Sequence, residues 1–164
     1  MRHDKKAPLK SDKKGPAKAQ KKVSLGYNKK SALLEDAITQ MNAGKYGRAS
    51  AVLKDLLALD PLNAEGRRLF ATHHLRLGSL MSARTAFESL AREAMERQDY
   101  WLAESLLREY LTAGPRYVPF LEMLGRVYED KGDVMAAVAE YGKAVEVLLE
   151  DPDTDNPNRA RDLF

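Results

Sequence analysis

The sequence predicts an all-α fold of about seven helices packed as antiparallel pairs, and three observations carry that prediction. From Ser31 onward, apolar residues recur three and four apart, the period of a helix with one buried face. The same stretch is rich in Ala, Leu, Glu and Arg and holds no alternating β-branched run, so propensity and pattern agree. A spacing of glycine, alanine and large apolar residues also recurs at an interval of 34 residues, which points to stacked copies of one small unit.

Ahead of the first helix, residues 1–30 hold 11 Lys/Arg against 2 Asp/Glu, a charge of +9 that leaves −6 on residues 31–164. Apart from proline, only Met1, Leu9, Val23, Leu25 and Tyr27 are apolar and larger than alanine there, too few to offset the entropy of ordering the segment. Residues 1–30 are therefore expected to be a disordered basic tail, 31–151 a helical repeat body and 152–164 an acidic, polar C-terminal segment. Within the body the first helix, 31–43, ends at Ala43-Gly44, and the second, 46–59, ends at Asp60-Pro61. The third and fourth, 62–77 and 80–97, are parted by Gly78-Ser79, and Gln98-Asp99 precedes the fifth, 99–113. Ala113-Gly114-Pro115 stops that helix, and Lys131-Gly132 parts the last two, 118–131 and 134–150, before Asp151-Pro152. Each break holds a residue that caps or stops helices.

The chain has no cysteine, which removes disulfides, thiolate zinc sites and thiol nucleophiles and suits the cytoplasm. No apolar run approaches the roughly 18 residues of a membrane span, so no membrane partner is expected. No Ser/His/Asp order, glycine-rich phosphate loop or carboxylate pair stands at a catalytic spacing. No enzyme activity, cofactor or metal is assigned.

The repeat is specific. Gly44 is followed by Ala49, Leu53, Leu56 and Pro61 at intervals of five, four, three and five; Gly78 is followed by Ala83, Phe87 and Leu90 in the same rhythm. Gly132 precedes Ala137, Tyr141 and Ala144, and Gln98 takes the glycine place ahead of Ala103, Leu107, Tyr110 and Pro115. Upstream of Gly132 the chain reads Leu121, Leu124-Gly125 and Tyr128. The alanines and Gly125 supply the small residues that let two helices cross closely, and Phe87, Leu107 and Tyr141 fill the space between pairs. These residues resemble the tetratricopeptide repeat family, here as a whole protein or a segment of a larger one. The resemblance implies a right-handed superhelical α-solenoid. Gly78 and Gln98 are only 20 residues apart, so helix 80–97 is expected to close the second unit and open the third.

In that family the first helix of each unit lines a concave face that takes peptides or protein elements. Carried onto this chain, the pattern selects Leu34, Ile38 and Met41 in the first unit and Glu65, Arg68, Thr72, Leu75 and Arg76 in the second. It selects Glu88, Arg92, Met95 and Glu96 on the shared helix, and Glu122, Arg126, Glu129 and Asp130 in the last unit. The resemblance thus implies a noncatalytic adaptor for a protein or peptide partner, with four arginines on one face for charge-assisted bonds and an apolar end near Leu34. Some members grip the terminal carboxylate of heat-shock chaperones with lysines and asparagines; Leu34, Ile38 and Leu69 occupy those places here, so that activity is not implied. The competing class is a nucleic-acid- or ribosome-associated factor, with residues 1–30 making weak, nonspecific contact with phosphates.

Three further features have plainer readings. His73-His74 has no third ligand at metal spacing, and His74 takes the place of Tyr128 inside a helix pair, so a packed histidine is expected there. Asp151, Asp153, Asp155 and Asp162 echo a calcium loop, but Asn156 stands where that loop requires glycine. Trp101, the only tryptophan, is expected to pack across the irregular junction, the alternative being an aromatic anchor for a partner.

Overall fold

A computed structural model describes residues 16–150, with side chains from Asn28 onward. These residues form seven helices, α1 (Pro16–Asn42), α2 (Tyr46–Leu59), α3 (Ala64–Arg76), α4 (Leu80–Glu96), α5 (Tyr100–Ala113), α6 (Val118–Asp130) and α7 (Val134–Glu150). Six of them fall within two residues of the expected bounds. The first does not: it begins at Pro16 and runs 27 residues, so disorder over residues 16–30 is corrected to helix. Proline suits the opening of a helix, where its missing N–H costs nothing, and the alanines, glutamine and lysines that follow are good helix formers. Low hydrophobicity argued against a packed core there, and not against a helix continuous with a packed one. The acidic loop residues and segment 152–164 lie outside the described residues.

The turns follow from the residues that make them. Gly44, Gly78 and Gly132 have φ of 71°, 74° and 81°, the left-handed region that closes one helix and reverses the chain. Gln98 adopts the same conformation at φ 59°, so the position that departs from glycine keeps the glycine geometry and its steric cost. Gln98→Gly is therefore expected to raise stability by about 1 kcal/mol or slightly less, the relief of strain being partly offset by greater freedom of the unfolded chain. Unchanged or lower stability in urea unfolding would count against strain at this turn. Asn63 accepts a hydrogen bond from Gly66 N at 2.8 Å and Asp99 one from Leu102 N at 3.2 Å, each satisfying a free donor at a helix start.

Packing is consecutive, each helix resting on the next, with further contacts joining α1 to α3 and α3 to α5. The crossing residues Ala49, Ala83, Ala103 and Ala137 are all buried. A small core of Ala37, Met41, Ala49 and Leu53 holds α1 to α2, and a larger one runs from Ala71 to Ala137 through α3 to α7. At its centre the ring of Tyr110 lies 6.1 Å from Phe87 and 4.9 Å from Phe120, with Arg84 Nε donating to its hydroxyl at 2.8 Å. Helix α4 packs extensively against both α3 and α5. With 17 residues it exceeds α3 at 13 and α5 at 14, as a helix shared by two units should. The array is an all-α solenoid.

Candidate functional site

Three neighbouring helices, α1, α3 and α5, line an open groove of about 370 Å³. Leu34 and Ile38 form one wall, α3 contributes Glu65, Arg68, Leu69, Thr72 and Arg76, and Glu109 of α5 forms the other wall. Arg68 donates through Nε to Glu109 at 2.9 Å and through Nη2 to Ser105 at 2.8 Å, while Thr72 Oγ1 donates to the second oxygen of Glu109 at 2.5 Å. Side chains from α3 and α5 thereby fix one another, and the pair leaves no net charge at the groove's middle. A guanidinium held this way presents a rigid wall.

The remaining expected groove residues divide. Met41 is buried against α2, and Leu75 belongs to the main core, so both are corrected from partner-facing to structural positions. Glu88 and Arg92 pair with each other along α4, with Arg92 Nη2 to Glu88 Oε1 at 2.7 Å, and Met95 packs half-buried against the core. On α6, Arg126 and Glu129 are exposed and Glu122 is half-buried. Tyr141 donates to Glu129 at 3.1 Å, and burial, with that acceptor, pushes the phenol up to about 12.

These residues do not share one face. Because α4 packs beneath both α3 and α5, its exposed Arg92 opens away from the groove those two helices form above it. Leu121 and Leu124 of α6 line a separate cavity of about 280 Å³ with Arg108 and Leu111 of α5 and Lys143 of α7. The periodicity of a helix then places Glu122, Arg126 and Glu129 on the side of α6 turned from that cavity. Its counterpart in the first half is the cavity of about 510 Å³ among Leu57 of α2, Phe70 and His74 of α3, and Ala86 and Leu90 of α4. In each half a first helix lies between two second helices, but the one shared helix exchanges the layers. Arg68 and Arg76 belong to one face and Arg92 and Arg126 to the other, which corrects the expectation of four arginines on a single concave surface.

A family model described as tetratricopeptide repeat matches residues 34–94 and again residues 89–157. The chain belongs to the tetratricopeptide repeat family. The two matches overlap within α4, at the helix that the geometry shows packed into both halves. No curated protein matches the chain. Tetratricopeptide repeats generally mediate protein–protein interactions, and among the described residues no helix is long and apolar enough to cross a membrane.

Glu109 is the groove residue that sequence reasoning missed. The repeat register reads α5 as a second helix, facing away from such a groove; the signal was the missing helix itself, since removing one helix from an alternating array brings α5 into the row of α1 and α3. Trp101 is corrected too. Its ring is 77% exposed with Lys131 Nζ 4.0 Å above it, and Lys131 also binds Glu104 at 2.6 Å. The irregular junction is filled instead by Phe87, Tyr110 and Phe120.

His73, rather than His74, is the fully buried histidine, set 6.0 Å from the Tyr46 ring and 5.8 Å from Phe70. Its Nδ1 has no hydrogen-bond partner among the described residues. Burial, then the charges of His74 and Lys54, hold His73 below the ordinary imidazole value, and burial with Lys54 does the same to His74. The unfolded chain therefore takes up protons first as the pH falls below about 6.5. Stability is full above that value and is lost as the pH falls toward the depressed folded values. The melting temperature should be lower at about pH 5.5 than at about pH 7.5, with His73→Leu flattening the difference. An equal difference in parent and variant would remove His73 as the cause.

Proposed function

We propose that the chain is a noncatalytic cytoplasmic adaptor that holds a peptide or protein element of a partner along the α1–α3–α5 groove. The observation that supports this reading is the contrast between the groove's fixed middle, where Arg68, Thr72 and Glu109 bind one another, and its open apolar edge, where Ile38 stays 42% exposed. A rigid wall beside unspent apolar surface suits a ligand, because little further ordering is needed on binding. An aliphatic edge also contributes by area, whereas solvated ion pairs alone contribute little.

The test is a photo-crosslinking amino acid placed at Ile38 in one full-length chain and at Arg126, on the other face, in a second. The groove reading expects protein adducts from the Ile38 position that exceed those from Arg126. Adducts from Arg126 alone would overturn it. Adducts that disappear only when residues 1–30 are removed, together with a salt-sensitive nucleic-acid gel shift, would favour the electrostatic class instead.

A further inference from the structure

Two charges in the groove have no partner among the described residues. Glu65 stands at the start of α3 and Arg76 at its end, both exposed and neither engaged in an ion pair or side-chain hydrogen bond. The other two charges lining the groove, Arg68 and Glu109, pair at 2.8 Å, and beside the Glu65 end Lys30 pairs with Asp60 at 3.5 Å. Between the free charges lie Leu34, Ile38 and Leu69. The groove is thus negative at one end and positive at the other, and between them an aliphatic edge runs beside the internally neutralised Arg68–Glu109 wall.

Its length follows from the helix that carries it. Arg76 stands eleven positions after Glu65, a rise of about 16 Å at 1.5 Å per residue. An extended chain covers that distance in about five residues. We propose that the groove selects an extended peptide of about five residues bearing a cation at the Glu65 end, aliphatic side chains in the middle and a carboxylate at the Arg76 end. This rests on the adaptor reading and adds to it the chemistry of the ligand. Arg76 can take a carboxylate through two parallel N–H donors, and a like charge at either end meets repulsion, the nearby Lys30 and Arg68 being already engaged by Asp60 and Glu109. The internal Arg68–Glu109 pair adds selectivity by absence, since it leaves no third charge for a ligand to match.

The experiment uses the full chain and three labelled peptides, each acetylated and amidated so that only side chains carry charge. They share a Leu-Ala-Leu centre and differ in their ends: one lysine and one glutamate, two lysines, or two glutamates. In fluorescence anisotropy the mixed peptide should bind about fivefold more tightly than either other, the scale of a partly exposed charge-assisted contact. Arg76→Glu should move the preference to the two-lysine peptide, and Glu65→Arg should move it to the two-glutamate peptide. Because these tests concern the number of matched ends, they hold whichever direction the peptide runs. Circular dichroism of the variants should match the parent, both sites being exposed. Equal binding of all three peptides to parent and variants overturns the charge selection and leaves the groove reading standing. No binding by any peptide, while Ile38 still crosslinks a partner, also overturns the proposed ligand and spares the adaptor; absence of both signals overturns the two together.

Discussion

Replacing Phe87 by alanine is expected to destabilise the chain by about 3–5 kcal/mol, and to do so unevenly. Phe87 is fully buried, and its ring meets Tyr110 at 6.1 Å. It stands on α4, the only helix of the described residues that both family matches include. In an array of nearest-neighbour contacts, stability is a sum of units and interfaces. A cavity at this interface therefore weakens the coupling between the α1–α3 and α5–α7 segments as well as the total. Trp101 is the sole tryptophan and reports on α5 and α6 through Lys131, whereas circular dichroism reports on every helix. In the parent the two signals should unfold together; in Phe87→Ala they should separate. Coincident transitions with a loss below about 1 kcal/mol would show that the two halves are joined elsewhere, through the ion pair of Arg67 on α3 with Glu93 on α4 at 2.6 Å or along α3 and α5. Thr85→Ala, on the exposed side of the same helix, should stay within about ±0.5 kcal/mol.

What the sequence discloses and what it hides both trace to α4. Helix positions are legible because each break carries a glycine, a proline or a capping residue, and Ala49, Ala83, Ala103 and Ala137 identify the crossings before any coordinates. The shared role of α4 is legible from the 20-residue interval alone. The consequence of that interval is not. A repeat register states which side of a helix faces its own partner, but the side of the whole array is a matter of parity. Counting first helices along the sequence therefore puts Arg92 beside Arg68, whereas packing turns them to opposite faces. Leu34, Ile38, Glu65, Arg68, Thr72 and Arg76 come together as expected because they precede the exchange of layers, on α1 and α3. Met41 and Leu75 leave the set for a smaller reason: each is buried in a core, Met41 with Ala37, Ala49 and Leu53 and Leu75 in the larger cluster, and one helix face carries both core and groove residues. The helix ahead of Ser31 escaped notice because patterning detects buried faces, and a lysine-rich stretch needs none to extend a helix already formed.

A second large effect is expected inside the last helix pair, where Gly125→Ala should destabilise by about 1–3 kcal/mol. A Cβ built on Gly125 would stand 2.5 Å from Cε1 and 2.7 Å from Cζ of Tyr141, too close for any pair of carbons. The ring cannot simply swing aside, because its hydroxyl is held by Glu129 at 3.1 Å and half of the side chain is packed against the core. Alanine also improves helix propensity by about 0.5–1 kcal/mol over glycine, so the two effects oppose. The clash is expected to win, since relief requires moving α7 on α6 or giving up the Glu129 bond. Gly142, in the facing helix, isolates the propensity term: nothing lies within 4 Å of its added Cβ, and Gly142→Ala should stabilise by about 0.5–1 kcal/mol. Two identical substitutions in one helix pair should thus shift the melting temperature in opposite directions, at about 2–4 °C per kcal/mol for a chain of this size. Tyr141→Leu removes the clashing ring, so Gly125→Ala should become much less costly in that background, giving a coupling of about 1 kcal/mol or more in a double-mutant cycle. Additive losses would mean that Gly125 and Tyr141 do not share the space between α6 and α7.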